Sequence, residues 1–140
     1  MTDRLGRKVL AGAALVLLLA AGTVLAQVEE EDITASLGQY ATLLDEGQHH
    51  LDELDFAQAI DSFTKLLDAY KSGQIPMVTP DAKQMVAKAW EGRALALANL
   101  GRNDEAKADF ESLIRFEPTH TIDVEGISPK IVALFTEAKK

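Results

Sequence analysis

Residues of matching size recur at a fixed separation along this chain, and that repeat limits what it can fold into more than any other feature. Leu43 aligns with Trp90, Gly47 with Ala94, Ala59 with Ala106, Phe63 with Phe110, Leu66 with Leu113 and Leu67 with Ile114, each pair 47 residues apart. A chain that repeats itself at this scale builds one supersecondary unit twice and buries a face of each copy against the next. Within the copies the apolar residues step by three and four. Leu37, Tyr40, Ala41, Leu44, Gly47, Leu51 and Leu54 make one such series, and Phe56, Ala59, Ile60, Phe63, Leu66, Leu67 and Tyr70 make the next. That spacing marks single faces of helices, and no segment alternates as a strand does, so the fold class is all-α.

Local signals place the ends of these helices. A first helix is predicted from Thr34 to a break at Leu54-Asp55, and a second from Phe56 to Tyr70. Residues 71–79 carry Gly73 and Pro76 and form a loop, ending on Thr79 as the cap of a third helix with Pro80 at its first position and Asp81 in its first turn. The third helix is Ala-rich and runs over residues 80–100, with Ala82, Met85, Val86, Ala89, Trp90, Ala94, Leu97 and Leu100 on one stripe, and Gly101 ends it. A fourth spans residues 104–116 and stops before Pro118. Ser128-Pro129 opens a last, C-terminal helix with Ile131, Val132, Leu134, Phe135 and Ala138 on its apolar side.

The second copy resembles the tetratricopeptide repeat (TPR), whose pattern runs W-x2-L-G-x2-Y, then A-x3-F, then P. Here the matching residues are Trp90, Ala94, Leu97, the turn glycine Gly101, Ala106, Phe110 and Pro118. The first copy keeps Gly47, Ala59 and Phe63 but lacks the turn glycine and the closing proline. Arg93 departs from the pattern, standing where it wants an apolar residue, so its guanidinium either snorkels to the edge or pairs with an acid such as Asp109 or Glu111. Leu113 is bulkier than the small residue usual at its place. The resemblance implies two antiparallel helical hairpins in a right-handed stack. Repeat arrays ordinarily need at least about three units, so the C-terminal helix is expected to cap the second pair with Ile131 and Phe135 buried.

A separate segment precedes these units. Arg4, Arg7 and Lys8 stand before the uncharged stretch 9–26, and Val24-Leu25-Ala26 sets small or slender residues one and three positions before Gln27. This is the pattern of a secretory signal cleaved after Ala26; an uncleaved anchor is the alternative, since 18 residues at the helical rise reach about 27 Å. Either way the remainder is expected outside the cytoplasm, in a periplasm on the resemblance, or tethered to the inner membrane through that segment alone. The organisation is then residues 1–26 as signal or anchor, 27–33 as an acidic spacer, 34–118 as two helical pairs joined by the 71–79 loop, and 119–140 as a loop and capping helix.

Charge and composition narrow the function. Loss of Asp3, Arg4, Arg7 and Lys8 with the leader takes the formal charge from -8 to -10, which disfavours nucleic acid and anionic lipid as partners. Without cysteine the chain has no disulfide, thiolate nucleophile or Cys-based metal site. His49 and His50 point about 100° apart on a helix and cannot share an ion, although His49 stands four residues from both Asp45 and Glu53. His120 reads as a loop residue. No nucleophile elbow, phosphate-binding glycine loop or paired metal motif is present, so neither an enzymatic activity nor a cofactor is expected. The resemblance instead implies a concave, partner-binding surface: Lys88, Glu91, Leu95, Ala98 and Asn99 on the third helix, and Ala41, Leu44, Gln48 and Leu51 on the first. The expected function is a non-catalytic module that binds a protein or peptide in the cell envelope. A small-ligand or metal-binding envelope protein and a membrane-tethered spacer are the alternatives.

Overall fold

The computed structural model describes residues 32–140, so the signal or anchor at 1–26 and residues 27–31 of the spacer lie outside the described residues. The chain divides into the units Met1–Ser36 and Leu37–Lys140. The described residues hold five helices and no strand: α1 over residues 32–52, α2 Phe56–Lys71, α3 Pro80–Asn99, α4 Asn103–Phe116 and α5 Pro129–Ala138. No described helix is long and apolar enough to cross a membrane.

The helix ends follow from local chemistry. Thr79 Oγ1 accepts from the Ala82 amide at 3.2 Å with Pro80 in the first turn, Asp55 caps α2 through Gln58 N–H at 3.3 Å, and Ser128 caps α5 through Ile131 N–H at 3.4 Å. The two copies also turn alike. Gly101 N–H donates to Ala98 C=O at 3.0 Å and Arg102 N–H to Leu97 C=O at 2.9 Å; 47 residues earlier, Leu54 N–H donates to Leu51 C=O at 3.1 Å and Asp55 N–H to His50 C=O at 2.8 Å. Both turns need a left-handed residue. Gly101 supplies it freely at φ +77°, whereas Leu54 adopts φ +63° at a cost of about 1–2 kcal/mol for a residue with a β-carbon.

α3 is the central element. It packs along α2 on one side and α4 on another, and α4 packs on α5. Eleven of its 20 residues are buried, most of them alanine, because it is covered on more than one side. Ala59, Phe63, Ala94, Ala106 and Phe110 are fully buried, Trp90 nearly so, and Gly47 is buried. Gly101 and Pro118, by contrast, are exposed. Both stand at helix ends on the surface, so of the residues that match the repeat these two are not part of its core.

Phe63 is the core's tightest point. A β-carbon on Gly47 of α1 would lie 2.5 Å from its ring, and one on Gly92 of α3 would lie 2.4 Å away. Gly92 has no counterpart in the repeat pattern, yet it fixes how closely α3 approaches α2. Arg93, next along, settles on Asp109 rather than Glu111: Nε donates to Oδ2 at 2.7 Å and Nη2 to Oδ1 at 2.8 Å, while Nη1 donates to Thr64 Oγ1 at 3.1 Å. The guanidinium therefore ties α3 to α4 and α2 together, 5.2 Å from the Trp90 ring centroid. At the far end, the rings of Phe110 and Phe135 meet edge to face at 5.3 Å, and Ile131 is buried beside them on α5.

Two substitutions test this account. Gly92→Ala gains about 1 kcal/mol of helix propensity but forces overpacking of about 1–3 kcal/mol against a ring that has nowhere to move. It should lower Tm, whereas Gly38→Ala, with nothing within 4 Å of its β-carbon position, should raise it. Asp109→Ala should cost about 3 kcal/mol in denaturant unfolding by leaving Arg93 buried and unpaired, and adding Arg93→Met should recover most of the loss.

Candidate functional site

Residues of α1, α3 and the connector between α4 and α5 enclose an open groove of about 430 Å³. Gln48 and Leu51 come from α1, and Lys88, Glu91 and Leu95 from α3, where steps of three and four put them on one face. Asp123 and Ile127 of the connector complete it. A second cavity of about 190 Å³ adjoins the first through Leu51, Leu95 and Ile127, and reaches Leu54, Phe56, Asn99 and Ile131.

Of the nine sequence-predicted contact residues, the structure brings Gln48, Leu51, Lys88, Glu91 and Leu95 into the first cavity and Asn99 into the second. Leu44 lines neither; it is half-buried and packs against the core, as Ala41 does. Ala98 is buried as well, so it offers nothing to a partner. In all three the short side chain or inward face of the helix decides the outcome. Two of the polar residues are already engaged locally: Gln48 Nε2 donates to Asp52 Oδ1 at 3.2 Å, and Asn99 Nδ2 to Leu95 C=O at 2.9 Å.

The connector is the part of the site that sequence reasoning missed. Its anchor is His120, a loop residue as expected but half-buried: Nε2 lies 2.7 Å from Glu91 Oε2 on α3, and Nδ1 lies 3.5 Å from Glu117. Ile122 is buried in the core, and Asp123 Oδ1 accepts from Glu125 N–H at 3.0 Å to shape the turn that follows. The only signal for this wall was the pairing of a histidine with apolar Ile122 and Ile127 in a stretch without periodicity.

Chemically the groove is an apolar floor with a mixed rim. Gly92 lies in the floor, and the direction in which a side chain would leave it is taken by the Phe63 ring. Glu91 and Asp123 stand on the rim against one cation, Lys88. Elsewhere His49 Nε2 lies 3.5 Å from Glu53 with both side chains well exposed, and among the described residues no three His, Asp or Glu side chains converge as metal ligands would. At the start of α4 the paired hydrogen bonds from Arg102, at 2.8 and 2.6 Å, hold the Glu105 carboxyl below its ordinary range and raise the Arg102 guanidinium; neither residue lines the groove.

A scan against protein-family models, a search of curated proteins and a search of solved structures each find no match to this chain.

If His120 holds the connector in place, His120→Ala should raise amide hydrogen exchange over residues 119–127 and cost about 1–2 kcal/mol of stability, leaving exchange in α2 at the wild-type pattern.

Proposed function

We propose that this chain is an extracytoplasmic TPR-like interaction module that binds a protein or peptide partner without catalysis. On this reading α1 with α2 and α3 with α4 are two antiparallel hairpins in a right-handed stack, and α5 caps the second. The matching hydrogen bonds of the two turns, 47 residues apart, support the repeat. Packing of α5 on α4 supports the cap, because it covers a face that a third repeat would otherwise cover.

One observation carries the binding function: Gln48, Lys88, Glu91 and Leu95, on the first helix of each pair, face a common groove with an apolar floor. A groove of this kind recognises shape and apolar side chains, with the rim charges setting orientation. The leader delivers the domain across the inner membrane, to a periplasm if cleaved after Ala26 or to a membrane-tethered position if retained.

Photo-crosslinking in intact cells tests the reading. A crosslinker replacing Leu95 or Lys88 should yield a discrete adduct, and one replacing Val78, exposed in the loop between α2 and α3, should not. Equal labelling from both places, or none from the groove, would overturn it. Recovery of the protein from the cytoplasmic fraction with its leader intact would overturn the address.

A further inference from the structure

Leu54 is the largest local inconsistency among the described residues. It sits at φ +63° in the turn between α1 and α2, where the matching turn of the second copy has Gly101 at φ +77° with the same hydrogen bonds. Glycine or asparagine is the ordinary occupant of such a position. Leucine here bears backbone strain and is repaid by no packing, since 72% of it is exposed. Strain at a single residue with no structural return points to a role in function.

Its position says what that role is. Leu54 lines the smaller cavity with Leu51, Phe56, Leu95 and Ile131, while Asn99 and Ser128 give it a polar edge, and the cavity shares Leu51, Leu95 and Ile127 with the main groove. At about 190 Å³ the cavity falls below the roughly 300–1,000 Å³ of small-molecule sites and suits one large side chain of a partner. Charge identifies the partner further. The groove rim carries Glu91 and Asp123 against Lys88, and the chain without its leader stands at -10, two below the -8 of the whole sequence. A second copy would bring like charge to like, so the complementary occupant is cationic.

We propose that Leu54 is an anchor for a cationic peptide segment, whose large apolar side chain packs between Leu54 and Leu95 while a Lys or Arg residue meets Asp123, Glu91 being held by His120. This rests on the groove reading above and names the class of partner that the groove takes.

The test uses the purified full-length chain and three labelled synthetic peptides of one pattern: leucine with lysine, leucine with glutamate, and serine with lysine. Only the leucine–lysine peptide should bind, more weakly as salt is raised. Leu54→Gly should weaken it about tenfold, the loss of a single apolar anchor, and leave Tm no lower than wild type. Val78→Ser, a control at an equally exposed residue outside both cavities, should change nothing. Undiminished binding to Leu54→Gly, a fall in its Tm of more than about 5 °C, or a preference for the glutamate peptide would each overturn the inference. Binding that is lost in Leu95→Arg but insensitive to Leu54→Gly would overturn the anchor and leave the groove standing. Binding by none of the peptides would overturn the anchor and its partner class, while the crosslinking pattern decides the groove separately.

Discussion

The Phe63 ring, held between two helices that have no side chain where they meet it, is the contact on which the rest of the arrangement depends. Its neighbours Gly47 and Gly92 stand on α1 and α3, and a β-carbon on either would overlap the ring. α2 therefore carries the aromatic bulk while its two neighbours supply the space. Close packing of this kind is unforgiving, because a filled interior transmits any added methyl to its surroundings. It also has a consequence on the opposite side of the same helices. α1 and α3 are set by their common contact with Phe63, and the groove runs between them, floored in part by Gly92. Its width is thus a product of the core and not of the groove residues themselves.

The Arg93–Asp109 pair does a different job. Both side chains are largely withdrawn from water, at 14% and 9% exposure, and desolvation of two ions offsets most of their attraction. What the pair secures is register. A planar guanidinium with two bonds to one carboxylate and a third to Thr64 accepts only one relative placement of α2, α3 and α4, whereas the alanines around it would tolerate sliding. A central helix whose buried residues are mostly alanine and glycine packs closely but specifies little, so a directional contact at its middle compensates for that.

How much of this was legible in the sequence follows from the range of the interactions. Helix ends were legible because Thr79-Pro80, Ser128-Pro129 and Gly101 act on atoms within a few residues of themselves. The burial of Ile131 and Phe135 was legible from three-and-four spacing. Arg93 was recognised as an exception, but two acids were within reach and only the structure selects Asp109. Gly92 escaped notice because it stands outside the repeat pattern, in which Gly47 pairs with Ala94. The first copy's missing turn glycine was seen, yet it does not follow from sequence that Leu54 would adopt the left-handed turn all the same. The residues of the groove's α1 and α3 walls were named from the family resemblance, which also misplaced Leu44 and Ala98, since the two edges of a helical stripe differ by one step of about 100°. The connector wall was not legible at all: it depends on His120 meeting Glu91, 29 residues away in sequence, and a loop has no period to announce such a contact.

That same contact gives the groove a property beyond its shape. Glu91 serves two partners at once, standing on the rim and holding His120 at 2.7 Å. A ligand cation that draws Glu91 away from His120 forfeits a part-buried, charge-assisted bond, about 1–2 kcal/mol, and loosens the connector that carries Asp123 and Ile127. A ligand cation placed at Asp123 forfeits nothing comparable and leaves all three walls intact. Two ligands with the same apolar side chain and the same net charge would therefore differ in affinity by up to about tenfold according to where the charge falls along them. On the proposed reading, a single histidine bond in a loop would thus set the register in which a partner lies.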